Sequence, residues 1–285
     1  MSRSALAALL IALGPVTAQA APITLTTSDG VAISADAVGT GTTGIVLLHE
    51  KGRDRQAWTN FPERLAAKGM QVVNVDLRGH GASASGKELA QEDYVKMTAD
   101  VNAAVTWLAA HGATRISVVG AELGANLAVV EAVDDKRVSD VVLLSPGMSV
   151  AGVNATQAIT QLGTRQILVV TAASDAYGMR TASFFEGKGG ATVHVEVLDG
   201  ATSGTKMLVR SPDLDPLLQS WFNGAYFGAN ADPGATKDLT TGDTSGIETT
   251  GTKFEERRER ERKTPLVPAE APPPADPMPE LNLDD

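Results

Sequence analysis

The chain has 285 residues, enough for one large domain with accessory segments, and 43% hydrophobic residues can fill a sizeable core. A net charge of −10 excludes binding modes that need dense Lys and Arg, such as non-specific contact with nucleic acid or an anionic membrane surface. With no cysteine, disulfides, thiolate metal sites, a cysteine nucleophile and a lipid-anchored cysteine are all excluded.

Residues 1–20 read as a bacterial secretory signal. Arg3 is the positive start, an apolar run spans Ala5 to Leu13, and Ala18-Gln19-Ala20 is a small-x-small cleavage site. The expected location is therefore periplasmic or secreted. The run is too short to span a bilayer comfortably, and no later segment approaches a membrane span.

From residue 21 short apolar runs alternate with helical patterns. Ile23 to Thr27 and Val31 to Val38 flank a Ser-Asp-Gly turn and read as a hairpin. Ile45 to His49 is a strand, Trp58 to Ala67 a helix stopped by Gly69, and Val72 to Asp76 a strand. Tyr94 to His111 has helical spacing. Ile116 to Val119 is a strand that runs straight into Gly-Ala-Glu-Leu-Gly-Ala and a helix. Val138 to Leu144, Ile167 to Thr171 and Val193 to Val197 are further strands. Helices are expected near Thr156 to Leu162, Arg180 to Gly187 and Asp215 to Phe222. A hairpin followed by strand–helix alternation predicts an α/β protein with a mostly parallel sheet covered on both faces. Sites in such sheets lie beyond the carboxyl ends of the strands. The domain is assigned to residues 21–228. Residues 229–285, rich in Gly, Thr, Asp and Pro and carrying a net charge of −6, read as a disordered acidic tail.

The stretches LLHEKGRDRQAW, VDLRGHGAS, VVGAELGANLA, LSPG, VVTAASDAY and LDGATSGTKML follow one another in that order. Together they resemble the α/β-hydrolase fold, with an eight-stranded sheet, and are closest to small lidless esterases and dienelactone-hydrolase-like proteins. The resemblance covers Ile23 to Phe222. Only a short segment separates Ser145 from Gln166, where a lid is inserted in lipases, so an open site without a lid is expected.

The resemblance implies a serine nucleophile at the centre of G-x-S-x-G, on a tight strand-to-helix turn. Here the motif reads Gly120-Ala121-Glu122-Leu123-Gly124, so Glu122 holds the nucleophile position. Asp175 matches the triad acid. The histidine position, in a stretch resembling G-x-x-H-G-T, is held by Ser203. The oxyanion donors would be the backbone N–H of Leu123 and one from the Glu50-Lys51-Gly52 loop, with Lys51 matching the position. A triad without its serine and histidine cannot run acyl transfer as the family does, because the histidine must take the serine proton.

None of the four histidines is expected to substitute: His49 belongs to the oxyanion loop, His80 to the Arg-Gly-His-Gly turn, His111 to a helix end and His194 to a strand. Glu122 is expected to be held by backbone donors together with Lys51 or Arg53. No metal cluster or cofactor motif accompanies these residues, so no cofactor is expected. Two main readings follow. One is a pseudo-hydrolase that binds a small molecule or a protein partner. The other is a hydrolase with altered chemistry on small esters, using Glu122 and Asp175 as an acid–base pair. A relocated serine nucleophile, Ser145 or Ser203, lacks a histidine partner.

Overall fold

The computed structural model describes residues 19–199 and 202–226. The expected signal and the expected tail lie almost entirely outside these residues.

The first two strands, β1 (Ala21–Thr26) and β2 (Ala32–Val38), form the expected antiparallel hairpin, with Ala21 opposite Ala37. Six more strands complete the main sheet: β3 (Thr43–Leu48), β4 (Gln71–Val75), β5 (Arg115–Ala121), β6 (Val138–Leu144), β9 (Gln166–Ala172) and β10 (Val193–Leu198). A small separate hairpin is made by β7 (Ser149–Val150) and β8 (Val153–Asn154). The main sheet has eight strands in the order β1-β2-β4-β3-β5-β6-β9-β10. From β4 to β10 every neighbouring pair is parallel.

The order follows from burial on both faces. Successive side chains in a strand point to opposite sides. In β3, Ile45 and Leu47 pack on one face with Trp58, Phe61, Leu218 and Phe222, whereas Val46 and Leu48 pack on the other with Val101, Leu108, Leu127 and Phe185. Each fully buried Leu or Val contributes about 1.5–3 kcal/mol relative to exposure. An apolar run with no polar alternation is stable only between two helical layers. Those layers are α1 (Phe61–Ala66), α6 (Met207–Arg210) and α7 (Leu214–Phe222) on one side, and α3 (Thr98–Ala110), α4 (Leu123–Asp134) and α5 (Ala176–Gly189) on the other.

Three expected helices differ in detail. Trp58 to Ala67 divides into a 3₁₀ turn, Arg55–Trp58, and α1, because Thr59 takes a positive φ of 51° between them. Tyr94 to His111 divides into α2 (Gln91–Lys96) and α3 at Met97, where the ladder tightens: Met97 N–H bonds Tyr94 O and Asp100 N–H bonds Met97 O. Thr156 to Leu162 is not an α-helix. It holds a 3₁₀ turn, Ala158–Thr160, that follows the β7–β8 hairpin. Asn154 Oδ1 there accepts from the Thr156 N–H and hydroxyl, at 2.9 and 2.6 Å, which closes a local turn instead of opening a helix.

Ion pairs fix the loops of the β4 end. Arg78 forks across Asp100 and Asp29, donating at 2.6–3.0 Å and tying the β1–β2 turn to α3. Arg55 bridges Asp36 and Asp76, each at 2.7 Å.

Candidate functional site

The central parallel strand, β3, has β4 on one side and β5 on the other. The chain leaves β3 in one direction and β5 in the other, which opens a crevice at their carboxyl ends. Glu122 stands there, between β5 and α4. Its backbone is strained, with φ 48° and ψ −103°. Such a conformation costs a non-glycine residue about 1–3 kcal/mol and persists only where surroundings impose it. They do so here. The Glu122 N–H bonds Leu144 O at 2.9 Å, locking the turn to β6. A Cβ on Gly120 would stand 2.1 Å from Gly124 O, and one on Gly124 would stand 2.3 Å from Leu48 O. Both glycines are required because α4 begins in contact with β5 and β3.

The Glu122 carboxylate is half-buried. Its Oε1 accepts from the Ser203 hydroxyl at 3.0 Å. The sheet thus brings together Glu122, from β5–α4, and Ser203, from the loop after β10, the two residues expected at the nucleophile and histidine positions. The expected support for Glu122 is different from the observed one. Among the described residues no basic side chain and no backbone N–H bonds its carboxylate. Lys51 is exposed, with its ammonium 4.7 Å above the Tyr94 ring, and Arg53 is exposed and makes no ion pair among the described residues. A side chain on the exposed loop turns toward the aromatic face and solvent instead of the elbow.

Asp175 does not join this contact. It is the N-cap of α5, and its Oδ1 accepts from the Gly178 N–H at 2.8 Å. No hydrogen bond links it to Glu122 or Ser203.

The turn carrying Ser203 is fastened at three successive residues. Ser203 donates to Glu122. The Gly204 N–H donates to Ser145 Oγ at 3.1 Å. The Thr205 N–H and hydroxyl both donate to Glu50 Oε1, each at 2.6 Å. Glu50, Ser145 and Thr205 are buried, and Glu50 Oε2 has no hydrogen-bond partner among the described residues. Gly204 has φ +60°, and a Cβ on it would meet Glu50 Oε1 at 2.4 Å. Sequence reasoning placed Glu50 only as a neighbour and gave Thr205 no role. The available signal was an ionisable residue between a buried strand and a glycine loop, where burial demands a partner.

All four histidines have other engagements. His49 is fully buried. The Leu77 N–H donates to its Nε2 at 3.1 Å, so its Nδ1 carries the proton to Glu50 O at 2.7 Å. Burial pushes its pKa down, which keeps the ring neutral. His80 Nδ1 faces Arg78 O at 3.0 Å, and His111 stacks on Trp107 with ring centroids 3.7 Å apart. His194 Nε2 bonds Gln166 Oε1 at 2.7 Å and lies edge-on to Trp221 and Tyr226; burial lowers its pKa. None hydrogen-bonds Glu122.

Among the described residues no group of three or more His, Cys, Asp or Glu could hold a metal ion, and no helix is long and apolar enough to cross a membrane.

An eight-stranded, mostly parallel sheet with a strained residue between its central β5 and α4 defines the class: the chain has the α/β-hydrolase fold. Within it, residues 42–177 match the family described as serine aminopeptidase, S33. A dienelactone hydrolase from Anabaena variabilis superposes with a TM-score of 0.63 at 16% identity, over 73% of this chain and 98% of that one. An esterase from Pyrococcus furiosus gives 0.60 at 18%, over 74% and 94%. One from Exiguobacterium antarcticum gives 0.56 at 16%, over 70% and 98%. No curated protein sequence matches the chain significantly.

Proposed function

We propose that this protein is an exported, non-hydrolytic α/β-hydrolase that acts by binding a small molecule or a protein partner. The observation that carries this reading is the hydrogen bond between Ser203 Oγ and Glu122 Oε1, at 3.0 Å. At the two positions where the superfamily resemblance calls for a nucleophile and a proton acceptor, this chain has a carboxylate and a hydroxyl bonded to each other. A glutamate could attack an ester only as a carboxylate, and the resulting acyl intermediate needs a base to activate water. Ser203 has no proton-accepting role at neutral pH. An acid–base pair of Glu122 and Asp175 gains no support, since Asp175 is engaged with the Gly178 N–H. Export is read from Arg3, the apolar Ala5 to Leu13 run and the Ala18-Gln19-Ala20 site. It fits a sheet whose first strand starts at Ala21.

The test is hydrolysis of a short-chain aryl ester by the wild type, Glu122→Ala, and the double variant Glu122→Ser/Ser203→His. The expected result is no turnover by the first two, with activity gained only in the double variant. Ester turnover by the wild type would refute the reading, and its survival in Glu122→Ala would show that Glu122 is not the nucleophile. N-terminal sequencing of the protein recovered outside the cytoplasm is expected to begin at Ala21.

A further inference from the structure

A cleft of about 790 Å³ opens beyond the carboxyl ends of β3 and β4. Its size is that of a small-molecule site. Neither Glu122 nor Ser203 lines it. Lys51 and Arg53 enter from the loop after β3, Lys87 from the loop after β4, and Gln91 and Tyr94 from α2. None of these three cations makes an ion pair among the described residues. Two acids, Asp54 and Glu88, share the lining, and Asp54 also accepts from the Gln56 N–H at 2.9 Å. The cleft thus sets three cations against two carboxylates in a chain of net charge −10.

We propose that this cleft binds a small polyanion, a molecule with two or more carboxylate or phosphate groups. Like charges gathered at one cavity repel one another until a counter-charge enters. Cations from two different loops call for anionic groups at more than one place on the ligand. Arg53 offers the planar fork that matches carboxylate and phosphate oxygens, and the lysines supply point charges. Lys51 is ordered in advance by Tyr94, whose ring lies 4.7 Å below its ammonium. The wide, polar opening suits a hydrated, charged ligand and disfavours an apolar acyl chain. The inference extends the reading of a binding protein by giving the ligand a class, and it is tested apart from that reading.

The test is calorimetric titration of the full chain with citrate and, separately, pyrophosphate, in about 0.1 M salt, where surface charges more than about 10 Å apart are screened. Acetate at matched ionic strength is the control. Saturable one-site binding of at least one polyanion is expected, with none of acetate. Citrate alone would identify a carboxylate ligand, pyrophosphate alone a phosphorylated one, and both the shared anion chemistry. Arg53→Gln and Lys87→Gln should each weaken binding about tenfold or more, the loss of one charge-assisted contact. Lys136→Gln, outside the cleft, should leave it unchanged. All three side chains are exposed, so the variants keep the fold. Absence of saturation with either polyanion overturns the proposal. So does equal binding by all variants, or an equal loss in Lys136→Gln. Ester turnover by the wild type would overturn the non-hydrolytic reading and leave this one standing.

Discussion

Gly204→Ala tests the fastening of the turn that carries Ser203. Two costs add. At φ +60° an alanine is in the left-handed region, which costs about 1–2 kcal/mol. Its Cβ would also stand 2.4 Å from Glu50 Oε1, so the carboxyl must leave the Thr205 N–H and hydroxyl it accepts from at 2.6 Å. Hydrogen bonds to charged groups contribute roughly 1.5–3 kcal/mol. Alanine returns about 0.4–1 kcal/mol by restricting the unfolded chain. The net expectation is a loss of about 2–4 kcal/mol, read from urea unfolding with an unchanged m-value. Gly30→Ala is the control. Gly30 has φ +80° and nothing within 4 Å of its hypothetical Cβ, so it reports the backbone cost alone. The difference between the two variants isolates the clash with Glu50. If Gly204→Ala costs no more than Gly30→Ala, Glu50 moves aside freely and the turn is not fastened as described.

Three further outcomes follow from the same geometry. Glu122→Gly should be more stable than Glu122→Ala by about 1 kcal/mol in urea unfolding, because both lose the carboxylate but only glycine relieves a strain of about 1–3 kcal/mol. Arg78→Gln leaves the fully buried Asp100 without its guanidinium and should cost about 3–5 kcal/mol by the same measurement. Glu131 is pushed from an ordinary 4.5 to about 7, chiefly by burial, with Asp135 and Asp134 adding to the effect against a bond from Asn102. Between those values the folded state holds a proton that the unfolded state has lost. Stability therefore falls as pH rises from about 4.5 to about 7, with no further loss above it. Glu131→Gln should flatten that segment of the stability–pH curve and be the more stable protein at pH 8, since Asn102 keeps an acceptor at 2.8 Å. An unchanged slope would show that Glu131 does not titrate in this range.

The sheet was legible because alternation and continuous apolar runs carry it: Ile45 to Leu48 divides between two cores residue by residue. The elbow was legible for a different reason, since Gly120 and Gly124 answer a steric demand that no other residue meets. What misled was apolar spacing without a helix. Ala155, Ala158, Ile159 and Leu162 are all buried, yet the chain reaches them through a hairpin and a 3₁₀ turn set by Asn154 and by Gly152 at φ +85°. Asp175 shows a second limit. An aspartate just before a helix is what an N-cap requires and also what a triad acid requires, and only its bond to Gly178 decides what it does here. Lys51 and Arg53 show a third, because loop position does not determine which way a long side chain turns.

The backbone strain at Glu122 and the identity of its side chain have separate origins. The strain is imposed by Leu144 O and by the close approach of α4 to β3 and β5, none of which involves the carboxylate. The elbow therefore survives a change of side chain, and its survival says nothing about catalysis. Residue 203 is coupled to residue 122 in a way the scaffold is not. Ser203 is one of the shortest hydroxyl donors, and reaching it takes a side chain that extends well beyond the elbow. The methylene that makes glutamate longer than aspartate, and so misplaces it as a nucleophile, also extends Oε1 toward Ser203, which it meets at 3.0 Å. On the reading proposed here the two replacements belong together. A carboxylate long enough to span the site and a hydroxyl short enough to receive it close the gap that a serine and an imidazole would otherwise share. Reverting either residue alone leaves a mismatched pair, which is why the gain of ester hydrolysis is expected only when both are reverted at once.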